Sequence, residues 1–413
     1  MKRFGHKKSR NGCVRCKQRR CDEKAPCSAC SRHRVPCSLS PDAPPTAVRP
    51  MRRGKHSAGG DSASTSQSPE TDISSVAWPD KVNSETLIPY SSKFHQGVQE
   101  DRAEDWAADL EMMHHYATIA HATFTNCDEV RQALQTDVVH MAMRFRFLLQ
   151  QILAFAGFHL AYTRPDQRQS YALKASTHHD RAIAGMRAAL GGSITQENCH
   201  ALYAGSIFLI ISTFATFPSF EVHNKDFSPV DGIVDVLKLI DGISCLLQTA
   251  DGDLRSGPLE KLFAARYAQP GPMPERLQEL SERLNAFMQQ LRLWSHVSTS
   301  EELEVVREMT QAMIRVLDEV GHRPSPSASI ELRAVFSWPI AVSNKHLDLI
   351  MQRHPAALVT LAYYLVIVSY AAESCWFLEG WAFSVGSSLK HILEGSVYEE
   401  AMEWPMGTIM AQP

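Results

Sequence analysis

CVRCKQRRCDEKAPCSACSRHRVPC, residues 13–37, holds six of the chain's ten cysteines in 25 positions. The spacing is C-x2-C-x4-C-x5-C-x2-C-x6-C, and it repeats one half-site: the pair Cys13/Cys16 followed by Cys21, then the pair Cys27/Cys30 followed by Cys37. Thiolates are soft ligands that select zinc, and a closed four-sulfur zinc site is tetrahedral. Six thiolates are too few for two separate sites of that kind, but they complete two if two of them bridge both metals. A disulfide framework is the competing reading. Met1 to Arg10 is basic with no apolar run behind it, so no secretory signal is expected, and in a reducing compartment clustered cysteines bind metal.

Charge is distributed as unevenly as cysteine. The 413 residues carry a net charge of −3, yet residues 1–60 hold sixteen Lys/Arg against three Asp/Glu, leaving twenty-six against forty-two in the remainder. A small basic head on an acidic body is the electrostatic footprint of a nucleic-acid grip. An anionic membrane or nuclear import would also use basic charge, but neither needs six spaced cysteines. Within the head, Arg15, Lys17, Arg19 and Arg20 crowd the second and third cysteines. An arginine fork matches guanine O6 and N7 together, whereas lysine offers a point charge to the same acceptors or to phosphate. Lys24, Arg32 and Arg34 are weaker candidates.

With Lys8-Ser9-Arg10-Asn11-Gly12 leading into Cys13 and Val35-Pro36-Cys37-Ser38-Leu39 closing it, the segment resembles the fungal zinc binuclear cluster, Zn2Cys6. That resemblance implies two Zn2+ ions held by Cys13, Cys16, Cys21, Cys27, Cys30 and Cys37, with Cys13 and Cys27 bridging. It also implies a helix after the second cysteine that enters the major groove of double-stranded DNA and reads a CGG-like triplet. Counted from Cys16, the base-reading places fall on Arg19 and Arg20; Lys8, Arg10 and Lys17 would meet phosphates, which position without specifying sequence. One departure stands out. The family commonly has six residues between its second and third cysteines, and this chain has four (Lys17 to Arg20). In a helix, a loss of two residues turns the third ligand by roughly 200° and shortens its reach by about 3 Å, so the loop must unwind for Cys21 to reach the same metal. If it does not, the head becomes a DNA-binding-deficient interaction module.

Residues 41–103 read as a disordered linker. Ala43 to Pro50 is proline-rich, Arg52 to His56 is basic, and Ser57 to Ser92 contains ten serines with few apolar residues, too little to offset chain entropy. No sustained heptad follows the cluster, so a coiled-coil dimer is not expected from the sequence. From residue 104 to 413 the periodicity is helical and strand signals are sparse, so the body is expected to be all-α. Trp106, Leu110, Met113, Tyr116 and Ala117 fall at three- and four-residue spacings, as one buried helix face would. Phe145 to Ala156 gives a broader stripe, and Leu259–Tyr267, Leu277–Trp294 and Leu303–Val320 continue it, with a break at His322 to Pro326.

Two segments are apolar all round: residues 198–220, with no Lys, Arg, Asp or Glu, and residues 355–372, also with none. Their length approaches a membrane span, but both are dotted with hydroxyl groups and lack flanking basic clusters. They read as central helices of a bundle. Enzyme signatures are missing: G-x-x-x-x-G-K-[ST], G-x-S-x-G and H-E-x-x-H do not occur. The adjacent pairs His114-His115 and His178-His179 would point about 100° apart on a helix, one packed and one exposed in each pair. Cys127, Cys199, Cys245 and Cys375 are scattered singly and read as small buried apolar residues. Gly191-Gly192 ends a helical stretch.

Four further stretches extend the resemblance: Asp109 to Tyr116 (DLEMMHHY), Phe158 to Ala161 (FHLA), Thr195 to Tyr203 (TQENCHALY) and Trp376 to Trp381 (WFLEGW). Together they are similar to the fungal sterol uptake control regulators. This implies an α-helical effector domain with an apolar sterol pocket, a sterol-response-type promoter element, contacts to the transcription machinery, and movement from cytosol to nucleus. The same head would equally serve a regulator of a biosynthetic gene cluster with no sterol ligand.

Overall fold

A computed structural model describes Lys24 and residues 105–216, 227–263, 272–294, 300–323, 325 and 328–412. The chain divides into two units, Met1–Val76 and Ala77–Pro413, and all described residues except Lys24 lie in the second. Among them the structure is helical, with no strand. The linker expected at 41–103 lies outside the described residues.

In chain order the helices are α1 (Asp105–Thr118), α2 (Asp128–Gln132), α3 (Val138–Arg144), α4 (Arg146–Thr163), α5 (Arg168–Leu190), α6 (Cys199–Ala215), α7 (Pro229–Leu254) and α8 (Glu260–Phe263). They continue as α9 (Glu275–Leu291), α10 (Ser300–His322), α11 (Ile330–Ala341), α12 (Asn344–Met351), α13 (Pro355–Ala372), α14 (Trp381–Leu393) and α15 (Glu403–Met410). A π turn, Ala133–Asp137, joins α2 to α3.

Helix α4 forms the axis of the first half. It runs along α5 and packs against α6 and α1, and every residue from Gln150 to Ala161 is buried. Helix α13 plays the same part in the second half, against α14, α11, α15 and α10, with Ala356 to Ala371 buried without a break. Helix α7 joins the halves, touching α6 on one side and α11 and α14 on the other. Each fully buried Leu, Val or Ile contributes about 1.5–3 kcal/mol of transfer free energy, which makes these two helices the main source of the body's stability. Residues 355–372 are long and apolar enough to cross a membrane, and they are the core of this half.

The polar atoms of α13 are satisfied inside the protein. Thr360 Oγ1 donates to the Ala356 carbonyl and sits 3.2 Å from Thr310 Oγ1; Ser369 Oγ donates to Val366 O at 2.8 Å. Tyr364 donates its hydroxyl to the Val335 carbonyl at 2.9 Å. That carbonyl is four residues before Pro339, inside α11, and proline has no N–H to return. Tyr364 therefore replaces the missing rung, and its ring stacks on Trp338 at 4.6 Å. At the end of α13, Arg276 bridges Glu331 and Glu373, each at 2.7 Å, with its guanidinium 4.8 Å above the Tyr370 ring. This ties α9, α11 and α13 together.

The sequence expectation holds only in part at α1: Tyr116 is buried, and Met113 and Ala117 are half-buried. Trp106 and Leu110 are 64% and 58% exposed, while the buried side is Ala108, Met112, His115 and Tyr116. The helix has apolar residues on more than one side, so the stripe read from periodicity is right at Tyr116 and wrong at Trp106 and Leu110. Helix α6 packs on α4 and α7, whereas α13 packs on α14, α11, α15 and α10. Residues 264–267 and 217–220, the ends of two stretches read as helical, lie outside the described residues.

Candidate DNA-binding head and effector core

The metal candidates Cys13, Cys16, Cys21, Cys27, Cys30 and Cys37 and the DNA candidates Lys8, Arg10, Arg15, Lys17, Arg19 and Arg20 all lie outside the described residues. Lys24 is exposed. Among the described residues, no group of three or more His, Cys, Asp or Glu could hold a metal ion.

The stretches singled out in the body converge in space. His115 on α1 and His159 on α4 face each other, Nε2 to Nδ1, at 2.7 Å, so one ring donates its N–H to the other's lone pair. Trp376 closes on His159 edge-on at 5.0 Å and lies 5.3 Å from the Tyr162 ring. Its indole N–H donates to Thr123 Oγ1 at 3.3 Å. Four residues on, Gly380 takes φ 82°, a left-handed conformation favoured by glycine, and starts α14. Trp381 then donates its indole N–H to Phe214 O at 2.9 Å. Thus DLEMMHHY, FHLA and WFLEGW form one bracket around the end of α4, whereas Asn198 of TQENCHALY closes its own loop through Thr195 N and Ser193 O.

A second polar layer crosses the same helices. Gln151 Nε2 donates to Phe208 O at 3.1 Å and Ser212 Oγ at 2.9 Å. His178 contacts Gln150 and Asp109, each at 3.0 Å. The expectation of one packed and one exposed histidine holds for His115 and His114 but not for His178 and His179, which are both buried. The reason is that both rings meet α4, His178 through Gln150 and His179 against Gln151 and the Phe158 ring, while Asp109 of α1 also contacts His178. Burial lowers His159 and His179 each from 6.5 to about 4 and lowers His115 as well, so these rings are neutral at physiological pH. At the rim, Glu111 is held below the usual carboxylate range by Arg164, 2.7 Å away, and also bonds Tyr171. These are cross-links between helices: the His115–His159 pair, Gln151 with Ser212, His178 with Gln150 and Asp109, and at the rim the charged Arg164–Glu111 pair, an arrangement suited to fixing geometry. Cys127, Cys199 and Cys375 are buried and Cys245 is half-buried; burial pushes the Cys375 thiol up to about 11, which leaves it unreactive.

Sequence reasoning missed α4 as the most enclosed helix of the first half. Gln150, Gln151 and His159 break its apolar run, and the partners supplied by α5, α6 and α1 make their burial tolerable.

Among the described residues, two cavities stand out. One, of about 620 Å³, is walled by the charged face of α10, including Glu304, Arg307, Glu308 and Arg315. The other, of about 280 Å³, lies where the Thr123–Asn126 loop meets the start of α11 and the turn after α13.

Residues 111–224, from the middle of α1 past the end of α6, match the family model described as the fungal specific transcription factor domain. The chain is also similar to two curated fungal proteins. One is the Zn(2)-C6 fungal-type transcription factor afumD of Aspergillus fumigatus, 24% identical over 371 residues that cover 88% of this chain and 86% of the relative. The other is a Zn(2)-C6 fungal-type transcription factor of Gibberella zeae, 24% identical over 444 residues, covering 98% and 86%. The α1–α6 helices thus carry the match to the fungal specific transcription factor domain, on a chain similar over most of its length to Zn(2)-C6 fungal-type transcription factors.

Proposed function

We propose that this protein is a nuclear, zinc-dependent, sequence-specific DNA-binding regulator of transcription by RNA polymerase II. The observation that carries the reading is the six-cysteine basic head on a chain whose similarity to Zn(2)-C6 fungal-type transcription factors extends over 98% of its length. In this reading Cys13, Cys16, Cys21, Cys27, Cys30 and Cys37 hold two zinc ions, which lock the head in shape. Arg19 and Arg20 then present guanidinium forks to a CGG-like element, while Lys8, Arg10, Arg15 and Lys17 neutralise phosphates. The helical body is the effector part that meets the transcription machinery.

Metal analysis of the intact protein should find two zinc ions per chain. In binding titrations against a CGG-containing duplex, Arg20→Ala should weaken binding by about 1–3 kcal/mol and relax preference at one base. Lys8→Ala should weaken all sequences alike and reduce the salt slope by about one. A single zinc, or none, with no preference for any duplex would favour the interaction module that the short Lys17–Arg20 loop allows.

Sterol responsiveness is a second reading, favoured by the four stretches shared with the sterol uptake control regulators. The three of them that form the Trp376 bracket would then be the element that senses the lipid and sets nuclear entry. Purified intact protein should gain thermal stability with cholesterol, since a ligand confined to the folded state raises stability above its dissociation constant. No shift would leave the regulator of a biosynthetic gene cluster as the better description.

A further inference from the structure

The 280 Å³ cavity has an apolar floor and a polar rim. Phe124, Leu332 and Cys375 line its inner wall; Asn126, Ser329 and Ser374 stand at its mouth, all three exposed. Among the described residues, no Lys, Arg, His, Asp or Glu lines it. Thr125 sits at the base, 4% exposed, and its Oγ1 accepts only the Cys127 N–H, at 3.3 Å. A hydroxyl also carries one proton to donate, and among the described residues that proton has no acceptor. Ser329, exposed at the mouth, caps α11 by accepting from Leu332 N at 3.2 Å and has its own O–H to offer to a ligand there. A buried donor without an acceptor is unfavourable unless a ligand or water takes it. The cavity is about nine times the ~30 Å³ share of a liquid water, room for a compact molecule of roughly ten heavy atoms at the lower end of ligand-site sizes.

We propose that this pocket binds a small uncharged molecule that presents a carbonyl or other oxygen acceptor to Thr125 and Ser329 and lays an apolar face on Phe124 and Leu332. The described lining residues carry no charge, which disfavours anions and cations, whose desolvation these residues would not offset. The volume is too small for a four-ring lipid, so this site is separate from sterol binding and does not depend on the transcriptional reading. Its position gives occupancy a readout: Thr123, on the same wall, is the acceptor for Trp376, so a ligand that orders the Thr123–Asn126 loop braces the bracket around the end of α4.

The test uses the intact protein with coumarin and cyclohexanone as the aromatic and aliphatic neutral probes, and benzoate as a charged probe of similar size. Calorimetry and thermal shift should show saturable binding of at least one neutral probe and none of benzoate. Thr125→Val, which keeps the shape and removes the donor, should weaken binding about tenfold, the equivalent of one hydrogen bond. Ala328→Phe, which fills the mouth from a half-buried position, should abolish it. Should Thr125→Val fold poorly, Ala328→Phe alone decides. Absence of saturable binding by both neutral probes, binding of benzoate as tight as that of coumarin, or binding indifferent to Ala328→Phe would each overturn the proposal.

Discussion

Tyr364→Phe removes one oxygen from the centre of the body, and the structure says what that oxygen does. Pro339 leaves the Val335 carbonyl without its helical donor, and the Tyr364 hydroxyl supplies one at 2.9 Å. Both Val335 and Tyr364 are 0% exposed, so water cannot take over. The hydrogen bond itself is worth about 0.5–1.5 kcal/mol, and a buried carbonyl left unpaired costs about 1–3 kcal/mol. Because the ring and its stacking on Trp338 are retained, the expected loss is about 2 kcal/mol. Urea denaturation followed by helical circular dichroism measures it. The decisive comparison is the double substitution: Pro339→Ala restores an N–H four residues after Val335, so Tyr364→Phe should cost less than about 1 kcal/mol in that background. If the loss is the same with proline or alanine at 339, the carbonyl orphaned by proline is not what Tyr364 serves, and the reasoning fails.

Two further outcomes follow from the same packing. Burial holds His179 at about 4 against 6.5, so the folded state binds fewer protons than the unfolded chain: its stability is full above pH 6.5 and falls at about 1.4 kcal/mol per unit as pH drops towards 4. The stability gap between wild type and His179→Leu should therefore move by about 2 kcal/mol in the variant's favour between pH 7.5 and 5, and a gap that does not move would show that His179 is not held neutral by the fold. A Cβ at Gly257 would stand 2.3 Å from His200 Nε2, so Gly257→Ala should destabilise by about 1–3 kcal/mol through overpacking; an unchanged melting temperature would mean that the loop yields freely.

By itself the sequence determined the composition of the two units and the helical class of the body. The cysteine spacing, the basic head and the acidic remainder are properties of local order along the chain, and so is a run such as 355–372, whose every residue must be hidden wherever it packs. Helix ends were legible for the same reason: the bounds of α13 coincide with the apolar run from Pro355 to Ala372, and α10 stops at His322 just before the prolines. Which side of a helix faces inward was decided only by tertiary structure. Helix α1 carries apolar residues on more than one side, and the contacts of Met112, His115 and Tyr116 with α4 chose between them, leaving Trp106 and Leu110 in solvent. The same holds for the histidines and glutamines of α4 and α5. A polar residue is tolerated in a core only when a partner meets it, and here the partners are distant in sequence: His115 with His159, Gln151 with Ser212, Trp376 with Thr123. Their spacing along the chain carries no periodic signal, so the bracket and the pocket beside it exist only once the helices have packed.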